Sequence, residues 1–309
     1  MKILGIGNAI VDVICKVKDS FIVENNLTKS TMKLFFDENE FKQLLINLKI
    51  EKTVSGGSVA NSIVGLSQLG DKVGFIGKIS NDDFGDKYEE GLKKENVEYF
   101  YSKKKEELPT GTCLILITPD SERTMCTFLG TAGKINENDI DAKIVKNSEI
   151  TFLEGYLWDE GEPKKAFNKA IINSNKVAMS LSDLFCVERH KKNFLELVKN
   201  KLDIIFANEQ EILSLINSSS FDDAISFSKN LNKNIVITRG EKGAFSIKEN
   251  QVYEYPAKKN LKITDLTGAG DLFAAGYLHG VINKMSINES LAKGTELSSK
   301  IIQKIGARI

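Results

Sequence analysis

The sequence predicts an α/β fold in which helices cover both faces of a mostly parallel sheet. Short apolar runs typical of buried strands alternate with longer segments of helical periodicity, and no internal repeat interrupts this order. A length of 309 residues with 41% hydrophobic composition is sufficient for a large core. We therefore expect one domain that spans residues 1–309.

Strands are predicted where apolar residues follow one another, because strands buried on both faces lack polar alternation. They cover residues 3–7, 11–17, 73–79, 112–118, 150–153, 177–181, 204–207 and 235–238. Helices are predicted where apolar residues recur every three or four positions. They cover residues 40–48, 58–69, 84–94, 163–172, 188–199, 209–216, 221–231, 269–282 and 287–305.

The region from residue 97 to 129 departs from this alternation. Turn signals at residues 110–112 and 118–121 separate β-rich runs with no helix between them, which favours antiparallel strands. Together with residues 11–17 and 32–37, the region predicts a small second sheet that could act as a lid over a ligand. An antiparallel extension of the main sheet is the alternative.

Charge and composition exclude several classes of function. The 42 basic residues balance the 42 acidic ones, so no overall field favours nucleic acid or an anionic membrane. No apolar run is long enough to span a bilayer, and we expect a soluble protein. The four cysteines form no C-x-x-C pair, which favours reduced thiols and a cytoplasmic location. Two histidines leave little material for a zinc site.

Only four of the basic residues are arginines, and their planar fork binds phosphate or carboxylate in a way that lysine cannot copy. Arg308, near the end of the sequence, is expected to be incidental. For Arg123, Arg189 and Arg239, a structural ion pair and a ligand contact are both open.

The most informative segment is residues 265–271 (DLTGAGD), which lead through a glycine-rich turn into an apolar helix. Unpaired amides and the dipole at such a helix start favour an anion. Asp271, in the first turn, would be well placed as a base beside a phosphoryl group. The alternative is an aspartate that only stabilises the helix N-terminus.

Two further segments could bind a polyol. Gly56 and Gly57 open a helix and let a ligand approach the backbone, and Asn61 lies off the apolar stripe of that helix. Asp12 interrupts a β-rich run, where its carboxylate could accept from two vicinal hydroxyls, with Asn8 nearby. A solvent-facing Asn61 and an edge-strand Asp12 that faces water are the alternatives.

Residues 208–211 (NEQE) follow an apolar strand and open a helix. Asn208 as N-cap with Glu211 three positions later is a capping box. The functional alternative is that Glu211 helps to order hydrated magnesium near a nucleotide.

The order and spacing of these segments resemble the ribokinase-like (PfkB-type) family of sugar and nucleoside kinases. Residues 238–243 (TRGEKG), after a strand, are also similar to the nucleotide-proximal turn of that family. The resemblance implies a three-layer α/β/α fold with a mostly parallel central sheet and a small β-sheet lid. It also implies transfer of the γ-phosphoryl of ATP to a primary alcohol, with ATP and Mg²⁺ as cofactors and a monovalent cation as a possible third.

The resemblance implies roles for particular residues of this chain. Asp271 would be the base, and the amides of Gly268, Ala269 and Gly270 would form the anion hole. The acceptor contacts would come from Asn8, Asp12, Gly56, Gly57 and Asn61, and the ATP contacts from Asn208, Thr238, Arg239, Gly240, Gly243, Gly268 and Gly270.

Within the family, residues 7–12 (GNAIVD) are similar to the adenosine-kinase branch. Arg123 falls where that branch places a lid arginine near the transferred phosphate. Tyr156 could stack on a nucleobase, although packing at a strand end is the alternative.

These observations lead us to expect a Mg-ATP-dependent kinase that phosphorylates a ribosyl substrate, with adenosine as the leading candidate. A kinase for ribose, fructose or a related sugar is the alternative, and a non-catalytic nucleotide- or sugar-binding protein is disfavoured by the presence of Asp271. Ile10 breaks the glycine pattern of a nicotinamide oxidoreductase. The expected partner is a small-molecule sugar or nucleoside, with neither nucleic acid nor membrane, in a monomer or a homodimer formed through the lid.

Overall fold

The computed structural model describes residues 1–120 and 122–309, so Ser121 of the predicted 118–121 turn lies outside the described residues. The strands are β1 (Ile3–Ile6), β2 (Ile10–Lys16), β3 (Met32–Phe35), β4 (Ile50–Gly56), β5 (Val73–Ile76), β6 (Glu98–Tyr99), β7 (Gly111–Ile117), β8 (Arg123–Phe128), β9 (Ile150–Glu154), β10 (Val177–Ser180), β11 (Ile204–Asn208), β12 (Asn234–Thr238), β13 (Ala244–Lys248) and β14 (Gln251–Tyr255).

The α-helices alternate with these strands over most of the chain. They are α1 (Asp19–Glu24), α2 (Glu38–Ile46), α3 (Ser58–Gln68), α4 (Asp83–Lys94), α5 (Ala142–Lys146), α6 (Glu162–Asn173), α7 (Leu184–Asn200), α8 (Glu209–Ile216), α9 (Phe221–Asn230), α10 (Ala269–Ile282) and α11 (Ile287–Ile301).

Nine strands form the main sheet, in the order β14-β13-β12-β11-β10-β9-β1-β5-β6. The strands from β12 to β6 are parallel neighbours, and β13 and β14 add an antiparallel hairpin at one edge. Successive residues of a central strand enter different cores: Ile3 packs into one, whereas Leu4 and Ile6 pack into the other. Because side chains of a strand alternate between faces, a core on each face confirms the predicted three-layer α/β/α arrangement.

A second sheet of five strands has the order β3-β8-β7-β2-β4. The β7–β8 pair is antiparallel, as the turn signals predict, whereas β2 pairs with β7, and β3 with β8, in parallel. One part of the prediction was wrong: residues 98–99 of the expected lid segment 97–129 form β6 in the main sheet, parallel to β5. We call the five-stranded sheet the lid.

Three strands were not predicted from the sequence, and two of them, β4 and β14, lie at the edges of their sheets. The outer residues of β4 are exposed, and β14 has only two partly buried positions among five. An edge strand that faces water needs no continuous apolar run, and charged residues there discourage pairing with another chain. The third missed strand, β13, joins β14 in the hairpin.

Two helix boundaries also differ from prediction. Helix α7 begins at Leu184, four residues early, because the Asp183 carboxylate accepts from the amide of Cys186 and caps the helix. Helix α11 ends at Ile301, and the chain beyond it turns towards the start of α10.

Among the described residues, no helix combines the length and apolar character needed to cross a membrane. All four cysteines are buried and unpaired. Burial raises the pKa of the Cys126 thiol to about 11 and that of Cys186 to about 12, so these thiols stay protonated at neutral pH.

Candidate active site

The predicted site residues gather where the parallel strands end and helices α3 and α10 begin, which is where open α/β sheets usually bind ligands. The turn into α3 needs glycine at position 57, because its φ is +101° and a Cβ there would collide with the carbonyl oxygen of Asn8. The glycine pair therefore holds the start of α3 against the loop after β1.

Asp271 occupies the first turn of α10 and is held by side chains of α3. Ser58 Oγ donates to its Oδ1 at 2.6 Å, and Asn61 Nδ2 donates to its Oδ2 at 3.0 Å. Ser62 Oγ donates to the backbone carbonyl of Asp271 at 2.8 Å. Close approach of the two helices depends on Gly65, where a Cβ would press on Leu272. Asp271 is thus fixed in orientation by a neighbouring helix.

Burial raises the pKa of Asp271 to about 6, although the hydrogen bonds from Ser58 and Asn61 oppose the shift. A carboxylate with a pKa near neutrality can take up a proton during a reaction and release it afterwards. The geometry and the pKa are those required of a general base.

The turn before α10 offers backbone amides to an anion. Gly268 has a left-handed backbone with φ +78°, and the Ala269 amide donates to the carbonyl of Leu266 at 3.1 Å. The Ala269 amide is therefore already hydrogen-bonded, so the predicted anion hole of three amides is reduced to those of Gly268 and Gly270. The amides of Gly268 and Gly270 have no protein acceptor within the described residues, and space around Gly270 is open. Two free amides at the positive end of a 14-residue helix favour an anion.

Asp12 lies on β2 of the lid, opposite Val54 of β4, and its carboxylate reaches Gly56, where any side chain would collide with it. Burial raises the pKa of Asp12 to about 7, and Asp271 adds to the shift, whereas Arg308 opposes it. In the described part of the chain, the Asp12 carboxylate accepts no hydrogen bond from protein. The structure therefore brings Asp12, Gly56 and Asp271 into one region.

Glu154, the last residue of β9, is a site residue that was not predicted from the sequence. Its side chain is 1% exposed and accepts from the amide of Val59 at 3.0 Å and from Asn8 Nδ2 at 3.0 Å. Burial raises its pKa to about 7. Glu154 joins Asn8 to the start of α3, and the available signal was a carboxylate at the end of an otherwise apolar strand. Asn8 Oδ1 is buried and finds no partner among the described residues.

The expectation that Arg308 is incidental was wrong. Its Nε donates to Asn61 Oδ1 at 3.3 Å, which places the guanidinium beside the residue that holds Asp271. Its Nη2 is shielded from solvent and has no partner in the described part of the protein. No local pattern indicates this contact, because only the tertiary path of the chain after α11 brings residue 308 to the start of α3.

Arg123 of the lid forms an ion pair with Asp265, in which both side chains are largely buried. Asp265 also accepts from the Thr267 hydroxyl at 2.8 Å and from the Gly306 amide at 2.7 Å. Arg123 is thus no surface ion pair, and the lid meets the anion-binding turn through it. Its contact with a transferred phosphate stays a prediction.

On the nucleotide side, the capping box at the start of α8 is present. Asn208 Oδ1 accepts from the Glu211 amide at 2.9 Å, and Glu211 Oε2 accepts from the Asn208 amide at 3.0 Å. Glu211 is 5% exposed, and burial raises its pKa to about 7. Thr238 lies opposite Asn208 at the end of β12, so the two predicted ATP contacts are neighbours.

The predicted nucleotide-proximal turn is a short helical turn after β12. Gly240 and Gly243 both have positive φ, and the Arg239 amide donates to the Gly243 carbonyl at 2.8 Å. The Arg239 side chain pairs with Glu209 at 2.5 Å and stacks on Phe221 at 3.6 Å. One edge of its guanidinium is therefore engaged by Glu209, whereas Nε is buried and has no partner among the described residues. The backbone of the turn is open beside Gly240.

Tyr156 follows β9 in a short helical turn. The residue is 41% exposed, and its hydroxyl donates to Asp183 at 3.0 Å. Burial and Asp183 both raise the pKa of its hydroxyl. A partly exposed tyrosine that is fixed at its polar end suits stacking on a planar group.

The residues fit a magnesium ion that a nucleotide carries. Within the described residues, no cluster of three or more His, Cys, Asp or Glu side chains could enclose a metal. Magnesium in phosphate-transfer sites commonly keeps its waters and is held by one or two carboxylates together with substrate phosphates. Glu211, whose oxygens already accept from Asn208, suits such contact through water.

Comparisons with known proteins find relatives in sequence and in structure. A family model described as pfkB family carbohydrate kinase matches residues 28–309. The structure of adenosine kinase from Sinorhizobium meliloti has a TM-score of 0.90 and 33% identity, over 100% of this chain and 95% of that chain. A probable sugar kinase from Rhizobium etli has a TM-score of 0.89 and 34% identity, over 99% and 94%.

Among curated proteins, 5-dehydro-2-deoxygluconokinase of Clostridium botulinum is 27% identical over 291 residues, 86% of this chain and 84% of the relative. The named relatives therefore include kinases for a nucleoside and for sugars. The predicted three-layer fold is confirmed by the solved structures.

Proposed function

The chain belongs to the pfkB family of carbohydrate kinases, as its motifs indicate, and from this premise we propose that it transfers the γ-phosphoryl of Mg-ATP to a primary hydroxyl of a ribosyl substrate. The observation that carries the proposal is the position of Asp271, with a pKa of about 6, beside two free amides at the start of α10. A base next to an anion site is the minimum that phosphoryl transfer to an alcohol requires.

In this reaction Asp271 accepts the proton of the attacking hydroxyl. Ser58 and Asn61 hold its two oxygens, so the base needs little reorganisation before the reaction. The amides of Gly268 and Gly270 donate hydrogen bonds to the oxygens of the phosphoryl group and stabilise their negative charge during transfer.

The nucleotide would lie along the ends of β11 and β12. Asn208 and Thr238 are the side chains there, and the backbone of Gly240 and Gly243 offers an open turn. Magnesium, when bound with ATP, neutralises phosphate charge, and Glu211 would contact its waters.

The acceptor would lie between the lid and α3. Asp12 has a free carboxylate for two hydroxyls of a ribose, while Asn8, Gly57 and Asn61 line the start of α3 beside it. Adenosine is the leading substrate, because the Sinorhizobium meliloti structure matches the full chain and Tyr156 offers a partly open ring for a base. A sugar is the second candidate, which the relatives named as sugar kinases favour.

The test is ADP release in a coupled assay over a panel of nucleosides and sugars, with Mg-ATP and with either K⁺ or choline as the monovalent ion. We expect turnover with adenosine above that with ribose or fructose, and none in Asp271→Asn. Higher turnover with a free sugar would select the second candidate. Turnover with no member of the panel, from a folded protein that binds ATP, would contradict the kinase assignment. Equal rates in K⁺ and choline would show that the reaction needs no monovalent metal cation.

A further inference from the structure

The segment after α11 enters the candidate active site. The amides of Thr264 and Asp265 donate to the carbonyl of Ile302, at 2.7 and 3.1 Å, which fastens the end of α11 to the glycine-rich turn. The Gly306 amide donates to Asp265, and Ala307 packs against the backbone of Gly268, where no side chain would fit. Several independent contacts therefore hold this segment beside the anion site.

These contacts place Arg308 beside Asn61, on the proposed acceptor side of the site. An arginine Nε can only donate, so the Asn61 oxygen must face Arg308 and its NH₂ group must face Asp271, as observed. Asn61 is thus oriented from both sides, by a cation and by a carboxylate. Its oxygen, which sequence analysis offered to a substrate hydroxyl, is already occupied.

The remaining donors of Arg308 have no acceptor among the residues that the structure describes. Nη2 is shielded from solvent and unpartnered in the described part of the chain, and leaving such a donor unsatisfied is costly. Asp12 also has no hydrogen-bond partner there, and the positive charge of Arg308 lowers its pKa and so favours its ionised form. A free donor and a free acceptor thus lie within the same buried region.

We propose that Arg308 binds the acceptor substrate by donating from Nη2 to a hydroxyl of the vicinal diol whose protons Asp12 accepts. A hydroxyl has one proton to donate and two lone pairs that accept, so a carboxylate satisfies only its donor. Arg308 supplies a donor to one of the lone pairs. This inference rests on the proposed function, since it assigns the recognition of a polyol in the same site.

The charge of Arg308 is also set by its surroundings. Burial lowers its pKa, whereas Tyr88, Asp12, Glu95 and Asp271 raise it. Arginine stays protonated under these conditions, so Arg308 carries a fixed positive charge between two carboxylates whose pKa values it lowers.

The experiment measures binding without turnover, by calorimetry, with adenosine, 2′-deoxyadenosine and 3′-deoxyadenosine as probes. Variants are Arg308→Met, which keeps length but removes all donors, and Arg308→Lys, which keeps charge but loses the fork. Arg189→Met is the matched control, because Arg189 is exposed on α7. Circular dichroism and thermal unfolding identify any variant that does not fold, and the Lys variant then carries the test.

We expect Arg308→Met to weaken adenosine binding at least tenfold, Arg308→Lys to weaken it less, and Arg189→Met to leave it within twofold, from the usual value of a hydrogen bond to a charged group. Loss of the diol hydroxyl that Arg308 contacts should weaken binding to the native protein about tenfold or more, and binding to Arg308→Met by a clearly smaller factor, since only the contact with Asp12 is left to lose. Equal penalties in the two proteins for both deoxy probes would overturn the proposal.

The outcomes also separate this proposal from the proposed function. A native protein that binds adenosine through Arg308 but phosphorylates no panel member would contradict the kinase assignment alone. A native protein that phosphorylates adenosine while Arg308→Met binds it equally well would overturn the role of Arg308 alone. Absence of binding by the folded native protein to adenosine and to every sugar of the panel would contradict both.

Discussion

The proposed acceptor side and the proposed nucleotide side of the site are built differently. On the acceptor side, Asp271 is held by Ser58 and Asn61, more than 200 residues away in sequence, and Arg308 reaches Asn61 from 247 residues away. On the nucleotide side, Asn208 bonds to Glu211 three residues later. The turn after β12 is likewise closed by its own backbone. The acceptor side depends on tertiary assembly, whereas the nucleotide side is formed by local bonds.

This difference predicts where substitutions matter most. A side chain that is held by distant segments and contacts the substrate has no neighbour that could replace it. Its loss should therefore abolish most of the activity or the binding. Backbone amides and capping bonds are shared among several groups, so loss of one side chain is partly compensated. The following experiments test that contrast, from the largest effect to the smallest.

Asp271→Asn should keep the fold and the affinity for ATP but lower kcat by about 1,000-fold or more, because an amide cannot accept the proton of the attacking hydroxyl. Coupled ADP release measures kcat, and equilibrium titration with ATP is the control. Activity near that of the native protein would remove Asp271 as the base.

Asp12→Ala should raise KM for a ribosyl substrate about 100-fold, because the lost carboxylate leaves two hydroxyls unpaired in a partly dry pocket. KM for ATP should barely move. Loss of one substrate hydroxyl should harm the native protein far more than the variant. Simple addition of the two losses would show that Asp12 does not touch the diol.

Acid should inhibit by protonating the base. The pKa of Asp271 is about 6 and that of Asp12 about 7, both raised by burial, so the ionised forms dominate only above these values. At a pH one unit below 6, about one tenth of Asp271 is ionised, so kcat should fall about tenfold from its plateau. A kcat profile that stays flat from pH 8 to 5 would contradict the assignment of Asp271.

Arg123→Lys should lower kcat about fivefold, with a smaller change in KM, since lysine keeps the charge of the lid contact with Asp265 but not its planar geometry. Steady-state kinetics with both substrates separate the two parameters. A change confined to KM would place Arg123 in substrate binding, and no change in either would leave it a structural ion pair.

Glu211→Gln tests the nucleotide side and should have the smallest effect. The amide keeps one acceptor for the Asn208 backbone, so the capping box is weakened and not lost. We expect KM for Mg-ATP to rise about threefold with KM for the acceptor unchanged. A loss of activity as large as that of Asp271→Asn would show that the two sides do not differ as proposed.

The same contrast explains what sequence analysis could predict. The alternation of strands and helices, the glycine-rich turn at residues 265–271 and the capping box are encoded by neighbouring residues, and all three are present. Edge strands β4 and β14 were missed because exposure removes their apolar pattern. Glu154 and Arg308 could not be assigned, because each acquires its partners only when distant segments meet.

Asp265 joins three segments that lie far apart in the sequence. It receives donors from Arg123 of the lid, from Thr267 of its own turn and from Gly306 after α11. Lifting the lid withdraws one donor from a shielded negative charge, which makes opening costly and closure self-reinforcing. In the proposed kinase, enclosing the acceptor and completing the phosphate site would thus be a single movement. Such coupling would keep bulk water from competing for ATP, so that little is hydrolysed without an acceptor.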